Sequence, residues 1–149
     1  MEHRLKLSKR TEYGLRAVVN LARAWPTQFM QSRDLAQQEK LPNKFLEAIL
    51  LALRRGGFLE SKVGMGGGYR LTRPPKDIKV SDLIRRLEGR PTPIDTVPIE
   101  NPTPGQIAVQ MVGDKLTTAI NTTMESMSLE QLVEMVNKSI DQSQEMYYI

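Results

Sequence analysis

Apolar positions divide the chain into short periodic segments. From residue 9 to about 24, Leu15, Val18, Leu21, Ala22 and Trp25 recur at helical spacing, and Pro26 follows as a stop signal. Trp25 reads as a core plug rather than a ligand-stacking platform. Ser32 is the expected N-cap of a short second helix that turns Leu35 and Ala36 inward. A turn over 39–42 leads to a third helix from 43 to 55, whose Leu46, Ile49, Leu50 and Leu53 lie on one face. Pro42 suits the start of that helix. Lys44, Phe45, Glu47 and Arg54 are left on outward positions.

Gly56-Gly57 then break the helix, and Phe58-Leu59 restart an apolar pattern. Gly64-Met65-Gly66-Gly67-Gly68 turn the chain back into Tyr69-Arg70-Leu71. Two short strands joined by a glycine-rich tip predict a β-hairpin. Glycine suits such a tip because it accepts positive φ and lets the backbone approach a partner closely. Two short helices around a tight turn form a helix-turn-helix, and a hairpin directly behind it makes a winged helix, a shape that fits DNA.

Farther on, residues 72–76 read as a connector. A short helix over 81–88 turns Leu83, Ile84 and Leu87 inward, with Gly89 as its C-cap. Residues 90–105 hold Pro91, Pro93, Pro98, Pro102 and Pro104, which predicts an irregular loop. A long helix is expected from 106 to about 127, striped by Ile107, Met111, Leu116, Ile120, Met124 and Met127. Ser128 with Gln131 matches a capping box and opens a last helix to about 138. The long helix cannot bury its stripe on its own chain alone, so a homodimer packed across a two-fold is expected. The alternative is that the stripe folds back on the first helix. The fold class is mainly α (α+β): a winged helix-turn-helix DNA-binding domain over 1–89, a proline-rich loop over 90–105 and a helical dimerisation region over 106–149.

Charge sharpens this division. Residues 1–90 hold 19 Lys+Arg and 9 Asp+Glu, a net of +10, while residues 91–149 hold 2 and 8, a net of −6. The first half is suited to a polyanion and the second to another task. The chain of 149 residues has no run near the roughly 20 apolar residues of a membrane span. Its first ten residues have no apolar signal region, so a cytoplasmic location without membrane contact is expected. There is no cysteine, and the only histidine is His3. Thiolate nucleophiles and thiolate-held metals are excluded, and no other metal or cofactor site is expected. No enzyme is expected either: there is no catalytic constellation, and Gly64–Gly68 lack the Lys-Ser/Thr of a phosphate-binding loop.

The motifs Leu7-Ser8-Lys9-Arg10-Thr11-Glu12-Tyr13-Gly14, Asp34-Leu35-Ala36, Phe45-Leu46-Glu47, Leu53-Arg54-Arg55-Gly56-Gly57-Phe58-Leu59 and Gly64-Met65-Gly66-Gly67-Gly68-Tyr69-Arg70-Leu71 occur in this order. Together they resemble the Rrf2 family of bacterial winged-helix transcription regulators, of the IscR, NsrR and CymR type. The resemblance is close over 5–89 and looser beyond. It implies a homodimer on a pseudo-palindromic operator, with recognition helices in major grooves and wings at flanking minor grooves; a repressor is the expected role, and the residues leave activation open. By matching positions, Lys44, Phe45 and Glu47 face base edges, and Ser8, Lys9 and Arg10 meet phosphates.

There are departures. Cluster-binding members carry three cysteines in the loop before the long helix; here the nearest such position falls on Ile107, and a ligating histidine's position near Gln110. Val63 stands where some members have a wing arginine, and Met65 where proline is common. In lacking cysteine the chain is closer to the CymR type, which is controlled by a partner protein.

Chemically, Lys44 can donate to guanine O6/N7 and Glu47 can accept from cytosine N4. Phe45 has two readings, a thymine-methyl contact or a core aromatic, and Glu47 has a second as a solvated helix charge. Arg54, Arg55, Lys62 and Arg70 read as phosphate or groove contacts, and Gly66, Gly67 and Gly68 as the close-approach tip. The competing class is a winged-helix protein-interaction module docking a partner protein. A regulatory protein, a small-molecule effector, a cluster held by other ligands and no effector at all are all compatible with these residues.

Overall fold

A computed structural model describes residues 6–88 and 99–147. The first helix, α1 (Lys9–Arg23), starts at Ser8, whose side chain accepts the Thr11 N–H and so satisfies one otherwise orphaned donor. Helix α2 (Ser32–Glu39) ends at Lys40, left-handed with φ of 56°, and Pro42 precedes α3 (Asn43–Arg55). Strands β1 (Leu59–Lys62) and β2 (Gly68–Leu71) pair antiparallel, with Leu59 opposite Leu71 and Lys62 opposite Gly68. A short tight turn at Pro75–Asp77 leads to α4 (Val80–Glu88). Helices α5 (Pro104–Glu125) and α6 (Leu129–Tyr147) complete the described chain.

One core unites these elements. Ala17, Val18 and Leu21 of α1 meet all four expected residues of α3, with Leu35, Leu71, Leu83 and Leu87 around them. Gly14 lets α1 press against Leu87, because a methyl group there would run into that side chain. Arg16 and Asn20 hold the end of α2 from α1: Arg16 Nε lies 2.9 Å from Glu39 Oε1, and Asn20 Nδ2 lies 2.8 Å from Glu39 Oε2. Leu129 of α6 is fully buried in the same core. Next to it, the Val80 N–H donates to Met127 O at 3.0 Å and the Leu129 N–H to Ile78 O at 2.8 Å. Arg85 bridges Glu125 at 2.7 Å across the same joint.

Several expectations need correction. The N-cap of α2 is Gln31 rather than Ser32, whose hydroxyl turns to Glu47 at 3.4 Å. The cause lies one step upstream: the Met30 backbone pairs with Tyr69 in both directions, at 2.9 and 2.8 Å, so the chain is still extended at Gln31. The long helix begins earlier than expected because Thr103 and Gln106 form a capping box with Pro104 in the first turn. It ends at Glu125, which leaves Met127 beyond it in the joint with α4. Helix α6 opens on the expected Ser128–Gln131 box but runs to Tyr147, since no glycine or proline interrupts it. Trp25 packs half-buried against the core, as expected. His3, Gly89, Pro91, Pro93 and Pro98 lie outside the described residues.

The expected stripe of α5 is not one stripe. Ile107 and Leu116 are nine residues apart, about two and a half turns, so they face opposite ways. Val109, Val112, Leu116 and Ile120 share one face instead, all at least 49% exposed. No residue of α5 is buried in the single chain.

Gly68 is the tightest point of the hairpin. Its φ is 127°, and a methyl group there would strike the Met30 carbonyl. Gly68→Ala is expected to lower unfolding free energy by about 1–3 kcal/mol in urea titration. Gly66→Ala, with positive φ but open space around it, should lose clearly less than Gly68→Ala, about 1 kcal/mol. Equal losses would show that the Met30 contact contributes nothing.

Candidate nucleic-acid interface

Helix α3 has two opposed faces. Leu46, Ile49, Leu50 and Leu53 are fully buried, while Lys44, Glu47, Ala48 and Arg55, spaced i, i+3, i+4 and i+11, all lie exposed. The expected base-facing residues Lys44 and Glu47 therefore share the outward strip. Phe45 flanks it, 43% exposed, and meets Tyr13 edge-to-face at 5.5 Å. It is neither a core aromatic nor a free ring: α1 fixes its angle while leaving an edge open. Tyr13 in turn lies 5.9 Å below both Lys9 Nζ and the Arg16 guanidinium.

The basic residues divide into two groups. Lys44, Arg54, Arg55 and Lys62 are exposed, and their side chains make no hydrogen bond or ion pair with other described residues. Arg33, on the first turn of α2, has the same freedom. It went unnoticed in the sequence because it lies on no motif, yet the first helix of a helix-turn-helix crosses the DNA backbone.

Other cations are engaged within the protein. Arg70, expected at phosphate, donates from Nε and Nη2 to Glu60 Oε1 at 2.9 and 2.6 Å and lies 4.3 Å over the Phe29 ring. It braces the base of the wing. Arg10 Nε donates to Leu87 O at 2.9 Å, tying α1 to α4. Ser8 caps α1 and also donates to Glu88 at 3.0 Å, while Lys9 is exposed and pairs with Glu12 at 3.4 Å. No periodicity distinguishes the two groups of cations, because, Lys9 apart, the engaged ones meet partners ten or more positions away in sequence.

The wing tip spans Val63 to Gly67. Gly67 donates to Gly64 O at 3.0 Å and has no room for a side chain, since a Cβ would meet the Lys62 carbonyl. Gly66 and Gly68 flank it, so the three glycines assigned to the interface form one thin turn braced through Met30 and Tyr69. Geometrically the arrangement is a recognition helix with a free outer strip, a braced wing beside it and unengaged cations along both. Such a set has the charge and shape to meet a polyanion's backbone and the donors and acceptors to read base edges from the helix.

Comparison with known proteins agrees with this geometry. The Rrf2 family, described as an iron-dependent transcriptional regulator, matches residues 7–135. The protein rrf2 of Nitratidesulfovibrio vulgaris is 33% identical over 105 residues, 70% of this chain and 69% of that one. The transcriptional regulator CymR of Bacillus subtilis is 28% identical over 145 residues, 97% of this chain and 100% of its own. Its solved structure superposes with a TM-score of 0.73 at 30% identity, covering 88% and 98% of the two chains. The structure of T. potens IscR superposes with a TM-score of 0.77 at 28% identity, covering 91% and 90%. The iron in the family description finds no thiolate here: the chain has no cysteine, and among the described residues no three His, Cys, Asp or Glu side chains gather to hold a metal. A cysteine-ligated cluster does not fit this donor set. The fold, the winged helix-turn-helix and the family match converge on one assignment: the chain belongs to the Rrf2 family of DNA-binding transcription regulators.

Proposed function

We propose that the protein acts in the cytoplasm as a homodimeric repressor that binds a pseudo-palindromic operator and carries out no catalytic step. The outward strip of α3, with Lys44 and Glu47 exposed opposite a fully buried leucine face, is the observation that carries this reading. Lys44 and Glu47 read bases, the exposed edge of Phe45 meets a thymine methyl, and Lys9, Arg33, Arg54, Arg55 and Lys62 approach phosphates. The wing lies at the flanking minor groove. Two copies pair through Val109, Val112, Leu116 and Ile120 of α5, a face exposed in one chain and covered by a second. Residues 1–89 form the reading module, 90–105 a linker and 106–149 the pairing region. A protein partner or small molecule, rather than a thiolate-held cluster, supplies the control; the solved CymR, described as a global cysteine regulator, is a relative that matches nearly the whole chain.

Genomic fragments retained by the protein near physiological salt should share a palindrome with half-sites about one helical turn apart. On that site the log–log salt slope should be about −5 to −9, for about 6–10 neutralised phosphates; a slope near zero would rule out a DNA-backbone interface. Lys44→Ala is expected to weaken operator binding by about 1–3 kcal/mol and to relax base preference at one position. A uniform loss on every sequence would instead make Lys44 a phosphate contact. Leu116→Glu should convert dimer to monomer by light scattering; an unchanged dimer would place the pairing face elsewhere.

A further inference from the structure

The wing tip carries chemistry that phosphate contact and base-edge reading leave unused. Val63 and Met65 are 97% and 99% exposed, more than any other large apolar side chain among the described residues. Between Lys62 and Arg70 the chain has no charged side chain. The tip therefore brings no guanidinium to a groove, only a branched aliphatic and an unbranched thioether. Its base is firmly held. Met30 pairs with Tyr69, Arg70 clamps Glu60 beneath Phe29, and Gly67 closes on Gly64. Two apolar side chains thus stand on a rigid stem that the rest of the chain does not cover.

Glycines at 64, 66 and 67 flank Met65 and keep the tip narrow, which matters for a minor groove only about 6 Å wide. Lys62, exposed and without a partner among the described residues, stands at the stem where it can approach the phosphate wall. The excess of positive charge over residues 1–90 brings this surface to DNA rather than to an apolar protein.

We propose that Met65 is an apolar wedge, which enters the minor groove beside each half-site, partly unstacks one base step and bends the operator. Unbranched and polarisable, methionine can slide between bases, and proteins that enter the minor groove use such side chains to kink it. Val63 packs against the sugar wall of the same groove. The wedge rests on the operator reading given above and adds a sequence rule to it. Pyrimidine–purine steps unstack most easily, so TA or CA/TG is expected at the wing position, and stiff A-tracts are disfavoured there.

The test uses the full chain and an operator recovered from genomic fragments. The fluorescent adenine analogue aminopurine replaces adenine at the step facing the wing, and donor and acceptor dyes mark the duplex ends. Wild-type protein should raise aminopurine emission and shorten the end-to-end distance. Met65→Ala should lose both signals while keeping site-specific binding and its salt slope; Met65→Leu should retain them. Replacing the flanking step by an A-tract should weaken wild type more than Met65→Ala. If Met65→Ala bends and unstacks the operator as wild type does, the wedge is overturned and the operator reading stands. If wild type retains no specific operator, both are overturned. Folding is not in question for this variant, since Met65 touches no core residue.

Discussion

Everything at the interface depends on holding α3 by one face only. Leu46, Ile49, Leu50 and Leu53 are fully buried, and burial of each such side chain stabilises by about 1.5–3 kcal/mol. Helix α4 adds a polar tie, with Arg86 Nε donating to Ala52 O at 2.9 Å near the end of α3. Helix α1 holds the preceding turn through Arg16, Asn20 and Glu39. A helix gripped from behind along its length can offer the whole of its other side to a groove without losing its own angle. Even the aromatic on its flank, Phe45, is steadied by Tyr13 rather than left to swing.

The second principle is a division of labour among like charges. Arg10, Arg16, Arg70, Arg85 and Arg86 are drawn into the protein by carbonyls and carboxylates, while Lys44, Arg54, Arg55 and Lys62 are left to solvent. Apart from Lys9, which pairs with Glu12 on its own helix, the engaged cations are arginines. A planar guanidinium can satisfy an acceptor and still sit over a ring, as Arg70 does 4.3 Å from the centre of Phe29. Most of these exposed or half-exposed pairs contribute little to stability individually. Their value is geometric, because they set where α1, α4 and the wing stand relative to α3.

Helix periodicity and glycine punctuation made most of the fold legible from residues alone. The core face of α3, the hairpin after Gly57 and the Ser128 capping box could all be read because each signal is local. What was misread depended on distant partners. Ser32 lost its cap because Met30 is held extended by Tyr69, 39 positions away. The pairing of Arg70 with Glu60 is not legible either, because nothing near Arg70 in sequence announces a partner across the strand pair. On α5 apolar residues lie on two faces, so composition alone merges them, and Val109 and Val112 emerge only when the helical turn is applied. Residue type marks the outward strip on α3, but only burial and pairing separate braces from free cations.

The joint where Ile78–Val80 pairs with Met127–Leu129 gives the molecule a lever. Helix α5 meets this pivot at its C-terminal end, where Arg85 bridges Glu125, and is a rod of 22 residues with none buried in the single chain, about 33 Å long at about 1.5 Å per residue. Its root is clamped to the core that seats the recognition helix, so a tilt of about 5° at the pivot sweeps the far end through about 3 Å. The proportion also runs in reverse: a shift of about 3 Å at the distal end of the rod amounts to only about 5° at its root.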